Sequence, residues 1–540
     1  MAQPSFPDFP ESSYGLNHFT RNIPLRRALQ RYYPDYLKKN EQDLEGLARF
    51  CSTTLADQAD YSDRIAKPYL ERPLDTPHAP KDRTTNVILN ERYKQAQQEL
   101  YRRGALSKGF DGYSPTHQIH AFLTQYLASY TDISTGCPLA MTHPDALILA
   151  TRAPKAVRDR FLDQFLRDDG KTMIGGTWAT EWAGGSDVRN NTESTARLID
   201  ADSGLCEVSG RNYFSSAMGF DSWGAIKTVR MKKEDGEQDI ALVFIPRFTD
   251  ENWNSDEYTR DHNAVSIPYL KEKSGTRGLA TGEVVLDKAR GWMIAPPGKG
   301  LKAMMEVLGV SRVHNAMASA AVIHRALNDV ACWTAQRVTF GAKLITRPDI
   351  QADLISLYIS WRAALALGFE SARSYDAALD NPEEQIWLRT ITALAKYWTA
   401  EAATKSTALA TEMIGGTAYT TDHAMERINR DALVLRVWEG PKNIQARELA
   451  QVLASGGADC LADRIGSILS TLEASDLKED EKILKDRWAG IKPALARLAG
   501  DPAAQGLLAQ RMMTELADYM AYALLLEAGA FEYDSYSDMT

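Results

Sequence analysis

At positions 180–187 the sequence reads TEWAGGSD, and the pattern of the chain differs on its two sides. Before this stretch, three segments carry apolar residues at the three- and four-residue spacing of helices: 43–55, 91–103 and 118–130. After it, short β-branched or alternating runs separated by Gly, Asp, Asn and Ser predict strands: 225–231, 240–246 and 283–286. Long helical patterns then return: 301–337, 349–377 and 384–414. The sequence therefore predicts helices, then a sheet, then helices again.

A further segment begins after Ser455-Gly456-Gly457 and has the pattern of three helices. Residues 459–540 contain 15 Asp and Glu against 8 Lys and Arg, a net charge of −7, so only −2 of the chain's −9 remains for residues 1–458. We therefore expect an α+β multidomain protein with four parts: an N-terminal helical domain with an extended N-terminus at 1–170, a central β domain at 171–295, a C-terminal helical bundle at 296–455 and an additional acidic helical domain at 456–540.

The composition excludes several classes of protein. With 540 residues, 44% of them hydrophobic, the chain can bury a large core, and no apolar run approaches the ~20 residues that a membrane helix needs. A net charge of −9 argues against nonspecific binding to nucleic acid, which depends on a cationic surface. Five cysteines that lie far apart, without a C-x-x-C pair, are typical of reduced thiols and make a zinc site unlikely. We expect a cytoplasmic protein with no metal and no membrane span.

The motif at 180–187 has two interpretations. Adjacent glycines let backbone amides approach a planar or anionic ligand, and the hydroxyls of Thr180 and Ser186 can bond heteroatoms. The simpler interpretation is a glycine-rich turn capped by Ser and Asp. The generic signatures of nucleotide hydrolysis, of the classical dinucleotide fold, of zinc proteolysis and of serine hydrolysis are all missing from the sequence.

Three more clusters follow the motif, each with its own simple interpretation. They are R-V-T-F-G-A-K-L at 337–344, E-M-I-G-G-T-A-Y at 412–419, and Arg430-Asp431 followed by V-W-E-G-P-K-N-I at 437–444. Taken singly, Arg337 is a solvated cation at a helix end, Gly415-Gly416 a helix C-cap, and Glu439 a loop carboxylate before a helix.

In this order and in this layout, the four motifs resemble the acyl-CoA dehydrogenase family over about residues 90–455, and within it the AidB-like branch. That branch shares the extended N-terminus, the W-E-G-x-x-N-I string and the additional C-terminal helical domain. The resemblance implies an acyl-CoA dehydrogenase-like fold: an N-terminal α-helical domain, a central β-barrel-like domain and a C-terminal four-helix bundle.

The resemblance also implies FAD, bound between the β domain and the C-terminal helices. No Cys or His lies within the four motifs, so we expect the FAD to be bound noncovalently. The resemblance places Thr180, Gly185 and Ser186 beside the flavin, together with the strand residues Tyr213, Phe214 and Ser215. It also places Trp438, Gly440 and Asn443, which flank Glu439, among the cofactor-binding residues.

The family forms homotetramers built as dimers of dimers, and Arg337, Phe340, Gly415 and Gly416 match positions that hold the FAD of the neighbouring subunit. A guanidinium suits pyrophosphate, and paired glycines expose amides to phosphate oxygens. Two positions depart from the family pattern, since Pro348 replaces a Gln and Ala418 replaces a Gly.

Glu439 aligns with the catalytic base of most family members. A carboxylate that substrate and flavin desolvate has the raised pKa that suits removal of the α proton of a thioester. Pro441 replaces the usual hydroxyl residue after Glu439-Gly440, which puts ordinary CoA esters in question.

Three functional hypotheses follow. The first is an FAD-dependent dehydrogenase that acts on an acyl thioester such as an acyl-CoA, with an unknown electron acceptor. The second is a flavin oxidase or monooxygenase of the same fold that acts on a small or natural-product substrate. The third is an AidB-like, nucleic-acid-associated protective protein. Glu at position 439 favours the first, and the net −7 of the C-terminal segment argues against the third.

Overall fold

The computed structural model describes residues 12–71, 86–233, 236–255, 260–500 and 502–537. Its α-helices are α1 (Ile23–Tyr32), α2 (Pro34–Ser52), α3 (Thr54–Arg64), α4 (Glu91–Arg102), α5 (Ile119–Ser129), α6 (Ile133–Arg152), α7 (Lys155–Phe165), α8 (Val188–Asn191), α9 (Gly300–Gln336), α10 (Pro348–Asp380), α11 (Glu384–Ile414), α12 (Met425–Leu435), α13 (Lys442–Val452), α14 (Ala458–Glu473), α15 (Lys478–Gly500) and α16 (Pro502–Ser537). Its strands are β1 (Tyr69–Leu70), β2 (Val87–Ile88), β3 (Phe110–Asp111), β4 (Ser114–Pro115), β5 (Ile174–Trp178), β6 (Thr195–Asp200), β7 (Leu205–Ser216), β8 (Trp223–Lys232), β9 (Gln238–Pro246), β10 (Val265–Leu270), β11 (Thr281–Ala295), β12 (Val338–Thr339) and β13 (Ala342–Lys343).

The N-terminal helices begin where the sequence provides caps. The side chains of Asn22, Asn90 and Asp132 accept backbone N–H groups at the first turns of α1, α4 and α6. Such caps satisfy amides that have no partner inside the helix. The predicted helix over 43–55 is interrupted at Thr53, where α2 ends and α3 begins.

The central domain is a seven-stranded mixed sheet that closes on itself. Strand β9 pairs with both β8 and β11, and the path β11–β7–β6–β8 completes the ring. The last link of the ring is narrow, because β6 and β8 share one residue pair, Thr195 with Arg230. Strands β5 and β10 extend the sheet at its two ends. The closure agrees with the predicted barrel-like domain.

The bundle is built on α9, α10 and α11, three helices of 37, 33 and 31 residues that pack against one another. Among the described helices, α10 is long and apolar enough to cross a membrane. In this structure it packs against α9, α11 and α16 and carries the buried Glu370 and Asp376, as the core helix of a bundle does. The predicted fold class is confirmed.

Helices α14 to α16 share a hydrophobic core with the bundle, and buried charges join the two. Arg464 on α14 pairs with Glu370 on α10 at 3.0 Å and with Glu527 on α16 at 2.8 Å. Glu370 also accepts from Arg373 and from the indole N–H of Trp387. Burial alone would raise the pKa of Glu370, but Arg464 and Arg373 outweigh it and hold the pKa at about 2.

Candidate active site

Glu439 lies in a tight turn between α12 and α13. Its φ angle is +60° and that of Gly440 is +96°, so two successive residues have left-handed backbone. Glycine adopts this conformation freely, whereas it costs a residue with a Cβ on the order of 1–2 kcal/mol. The surrounding structure must therefore hold the carboxylate residue in place.

Three buried side chains from three helices hold the carbonyl groups of this turn. Arg312 on α9 donates from Nε to the Glu439 carbonyl at 3.2 Å. Lys396 on α11 donates from Nζ to the Gly440 carbonyl at 2.7 Å. Gln445 on α13 donates from Nε2 to the carbonyls of Glu439 and Gly440 at 2.7 and 3.0 Å. These bonds fix the direction in which the Glu439 side chain leaves the backbone.

One oxygen of the Glu439 carboxyl is left without such bonds. The Oε2 atom is shielded from solvent and has no hydrogen-bond partner among the described residues. Burial raises the pKa of Glu439 from 4.5 to about 7, and the positive charges of Arg312 and Lys396 limit the rise. A carboxyl that titrates near neutral pH is suited to general-base catalysis.

The other predicted residues of this segment surround the turn. Trp438 is half-buried and donates its backbone N–H to the Val434 carbonyl at 3.1 Å. Gly440 has no room for a side chain, because a Cβ there would lie 2.9 Å from Cγ2 of Ile444. Asn443 is exposed on the first turn of α13.

Glu181, one of the two acidic residues of the 180–187 motif, is buried and ion-paired. The Lys227 ammonium lies 2.8 Å from its Oε1, and both side chains are almost fully enclosed. The backbone amides of Glu193 and Ser194 donate to Oε2 at 2.7 and 3.0 Å. Burial alone would raise the pKa of Glu181, but Lys227 and these donors outweigh it and hold the pKa below its usual range. Glu181 therefore anchors the motif.

The rest of the motif is open around this anchor. Thr180 is half-buried, Gly185 and Ser186 are exposed, and a Cβ built on Gly185 would meet no atom within 4 Å. Trp182 is 70% exposed and packs edge-to-face on Tyr213 with ring centres 4.6 Å apart. An exposed ring beside open, polar backbone is a surface that fits a planar cofactor with polar edges.

Strand β7 continues this surface. Phe214 is half-exposed against Tyr213, and the Lys271 ammonium lies 3.5 Å from the centre of the Tyr213 ring. Ser215 is fully buried and accepts a bond from Asn212 at 3.0 Å, so its hydroxyl faces the interior of the sheet.

Ser216, the last residue of this strand, is half-buried, and its hydroxyl bonds the Thr281 hydroxyl at 2.9 Å. Thr281 in turn accepts from the ammonium of the half-buried Lys273 at 3.1 Å. The sequence analysis named neither Ser216 nor Lys273. Alternation along a strand puts neighbouring residues on opposite faces, so Ser215 and Ser216 are not equivalent.

The remaining predicted cofactor residues lie at the far end of the bundle. Arg337 ends α9, and Phe340, at the tip of the β12–β13 hairpin, is 97% exposed with φ +51°. Gly415 and Gly416 end α11, with nothing within 4 Å of a Cβ at either. Helices α9 and α11 end on the same side because α10 runs back between them in the chain. Residue 337 is 25 residues beyond Arg312, which is about 37 Å along a helix.

This distance separates two predicted groups of cofactor residues. One group, Arg337 and the paired glycines, cannot reach the turn of Glu439 within one chain. The other group comprises residues 180–187 and the Glu439 turn itself, which belong to other elements. Within one chain, Arg337 therefore does not join the site of Glu439.

The Arg430-Asp431 pair has a structural role. Arg430 binds Asp63 on α3 at 2.7 Å, and Asp431 accepts the Thr276 backbone N–H at 2.6 Å. Gly275 packs so closely on this helix that a Cβ would lie 2.5 Å from the Arg430 carbonyl. The motif therefore joins α12 to the N-terminal helices and to the loop between β10 and β11.

The comparisons with known proteins agree with this architecture. The family description "Acyl-CoA dehydrogenase, C-terminal domain" matches residues 298–454. Acyl-CoA dehydrogenase family member 11 of Caenorhabditis elegans is 28% identical over 521 residues, which cover 89% of this chain and 80% of that protein. The putative acyl-CoA dehydrogenase AidB of Escherichia coli is 28% identical over 326 residues, or 59% of this chain and 57% of AidB. The solved structure of Caenorhabditis elegans ACDH-11 in complex with C11-CoA has a TM-score of 0.83 at 23% identity, covering 98% of this chain and 90% of that one.

Proposed function

This chain belongs to the acyl-CoA dehydrogenase family of FAD-dependent oxidoreductases acting on CH–CH groups, and on that premise we propose that it oxidises an acyl thioester to its α,β-unsaturated product. The predictions of the family, of its AidB-like character and of FAD as the cofactor are confirmed. The observation that carries the proposed reaction is the half-buried side chain of Glu439, whose shielded Oε2 atom has no hydrogen-bond partner among the described residues and which is held on a turn that three side chains fix.

In the proposed reaction the Glu439 carboxylate takes the α proton of the thioester. The β hydride leaves with its electron pair, the α,β bond becomes double, and Glu439 ends the step protonated. FAD, when bound, supplies the acceptor for the hydride and its two electrons. A pKa near 7 lets Glu439 be ionised before the step and still hold the proton after it.

The residues that we assign to the flavin are those of the open surface at 180–187 and on β7. Trp182, Tyr213 and Phe214 offer ring faces, and the open backbone of Gly185 with the hydroxyl of Ser186 offers polar contacts. Glu181 and Lys227 form an enclosed ion pair that stabilises this surface but is not itself exposed on it.

We propose that the protein assembles as a tetramer of two dimers, in which Arg337, Phe340, Gly415 and Gly416 of one chain serve the FAD of its neighbour. The large exposure of Phe340 and the free space at the two glycines support this assignment, as does their distance from the Glu439 turn. Light scattering tests it: a monomer that retains one FAD per chain would contradict the shared site.

For the substrate we propose an acyl-CoA, because a C11-CoA complex is the state in which ACDH-11 was solved. Pro441, the N-cap residue of α13, offers the site neither a hydroxyl nor an N–H. The acyl group and the electron acceptor are left to experiment. We also propose a cytoplasmic location, because the five cysteines lie far apart without a C-x-x-C pair and are free thiols, as is typical of a reducing compartment.

The test is anaerobic mixing of the purified yellow protein with acyl-CoAs of increasing chain length, followed by flavin absorbance. Bleaching by at least one thioester, with the enoyl-CoA as product, is the expected result. A flavin that no thioester reduces, but that oxygen reoxidises after reduction by a nitroalkane or another activated carbon acid, would replace the proposal with the oxidase hypothesis.

A further inference from the structure

Lys396 spans both ends of the segment that carries Glu439. It lies on α11, 1% exposed, and donates to the carbonyl of Gly440 at 2.7 Å and to that of Arg436 at 3.4 Å. Arg436 is the C-cap of α12, where unpaired carbonyls and the helix dipole favour a cation. One ammonium group therefore ties the end of α12 to the residue after Glu439.

The same ammonium acts on the charge of Glu439 without forming a hydrogen bond to its Oε2, which has no partner among the described residues. Lys396 favours the ionised form of Glu439, and Glu439 favours the protonated form of Lys396. Burial works against both and lowers the pKa of Lys396 to about 7. Two groups that interact so closely titrate as a pair.

Other charged groups lie around this pair and its neighbour Arg312 on α9. Glu401 on α11 and Arg436 after α12 act on Lys396, Arg389 on α11 and Glu448 on α13 act on Arg312, and the buried, neutral thiol of Cys137 on α6 lies near Glu439. Four of these neutralise each other in two ion pairs, Arg436 with Glu401 at 2.6 Å and Arg389 with Glu448 at 2.7 Å. The charges of Lys396 and Arg312 are therefore the ones left to balance Glu439.

We propose that Lys396 is a positioning residue for the catalytic base: it fixes the 436–440 turn through two carbonyls and places a positive charge beside the carboxyl of Glu439 while leaving that carboxyl free to accept a proton. A lysine bonded directly to the carboxylate would make it a weak base, as Lys227 does at Glu181. Bonding to the backbone separates the two effects, because the charge acts through space while the carboxyl oxygen stays available. This inference rests on the proposed role of Glu439.

The test compares four variants of the holoenzyme. Lys396→Arg keeps the charge, Lys396→Gln keeps a donor without the charge, and Lys396→Met removes both. Lys405→Met changes an exposed lysine on the same helix and serves as the control. The measurement is the anaerobic rate of flavin reduction by the best acyl-CoA from pH 5 to pH 9, with FAD content and thermal unfolding recorded for each variant.

We expect Lys396→Gln to shift the apparent pKa of the rate profile upward by about one unit or more, the size of effect a nearby opposite charge produces. Lys396→Arg should restore the wild-type midpoint even if its plateau rate is lower, and Lys405→Met should match wild type throughout. A profile for Lys396→Gln within about 0.3 unit of wild type would overturn the inference, since a purely structural lysine lowers the rate without moving the midpoint. If Lys396→Met does not fold, Lys396→Gln and Lys396→Arg still decide the question.

A second measurement needs no substrate and keeps this inference distinct from the proposed function. The absorbance of the bound flavin is titrated with pH in wild type, in Glu439→Gln and in Lys396→Gln; the transition that Glu439→Gln removes belongs to Glu439. An upward shift of that transition in Lys396→Gln supports the inference even where no thioester reduces the protein. An unshifted transition, or none that Glu439→Gln removes, contradicts it.

Discussion

Glu181 and Glu439 are two glutamates in glycine-containing turns, the first buried and the second half-buried, and each has a buried lysine close by. At Glu181 the lysine and two backbone amides bond the carboxylate itself, and its pKa is held below the usual range. At Glu439 the lysine, an arginine and a glutamine bond the backbone carbonyls, and the pKa of the carboxyl rises to about 7. The same types of residue therefore build an inert anchor at one turn and a candidate base at the other, according to which atoms the donors reach.

This contrast predicts that Glu439→Gln lowers the rate of flavin reduction and leaves the fold and the FAD content unchanged. The amide keeps the size of the side chain but cannot take the α proton, and loss of a general base costs about 10² to 10⁴ in rate. The measurement is the anaerobic rate of flavin reduction by the best thioester, with FAD content as the control for folding. A rate within about threefold of wild type, far below that range, would show that Glu439 is not the base.

At Glu181, by contrast, loss of the ion pair with Lys227 should lower the stability of the fold. Lys227→Met leaves Glu181 buried without its partner, which typically costs about 3–5 kcal/mol of unfolding free energy. We expect a much lower midpoint in chemical denaturation and weak retention of FAD, and partial recovery when Glu181→Gln is added. Lys232→Met, an exposed lysine at the end of the same strand, is the matched control. Equal stability of Lys227→Met and its control would mean that the ion pair does not support the motif.

The pH dependence of the reaction sharpens the same comparison. Because the ionised form of Glu439 takes the proton, reduction should slow about tenfold per pH unit below 7 and level off above it.

The stability of the protein should depend on pH in the opposite direction to the rate, because ionisation of Glu439 speeds the reaction and destabilises the folded state. The folded pKa of Glu439 lies above 4.5, so folding favours the protonated form, and the cost of ionising it appears as pH rises from 4.5 through about 7. Glu439→Gln should therefore unfold at a higher temperature than wild type at pH 8 and at the same temperature below pH 4.5. A difference that is constant with pH would remove the support for a raised pKa.

The smallest expected effect concerns the open surface beside Glu181. Trp182→Ala removes an exposed ring that supports little of the fold, and loss of one aromatic contact of about 1 kcal/mol would weaken FAD binding roughly fivefold. Fluorescence titration of the apoprotein with FAD measures this. Tyr522→Ala, a half-exposed tyrosine on α16, is the control, and an identical FAD affinity for the two variants would place the flavin elsewhere.

Helix periodicity in the sequence predicted α9, α10 and α11 to within a few residues, because long amphipathic patterns with turn residues between them leave little choice. The resemblance singled out Glu439, yet Arg312, Lys396 and Gln445 were missed. In sequence they are single polar residues within helical patterns, which usually mark an exposed face. Only the packing of three helices shows that they point at one turn. Ser215 and Ser216 could not be told apart for a similar reason, since the phase of a strand depends on its partners.

The bond of Arg464 to Glu370 has a practical consequence for anyone who wishes to trim this chain to a smaller catalyst. A cut after Ser455 would delete Arg464 and leave an acidic group facing a newly exposed apolar surface on α10 and α11. The shortened protein would keep Arg373 as the partner of Glu370, but it would need polar replacements along that surface before it could stay in solution. The last three helices thus cover apolar surface of the bundle and supply a second counter-charge to one of its buried carboxylates.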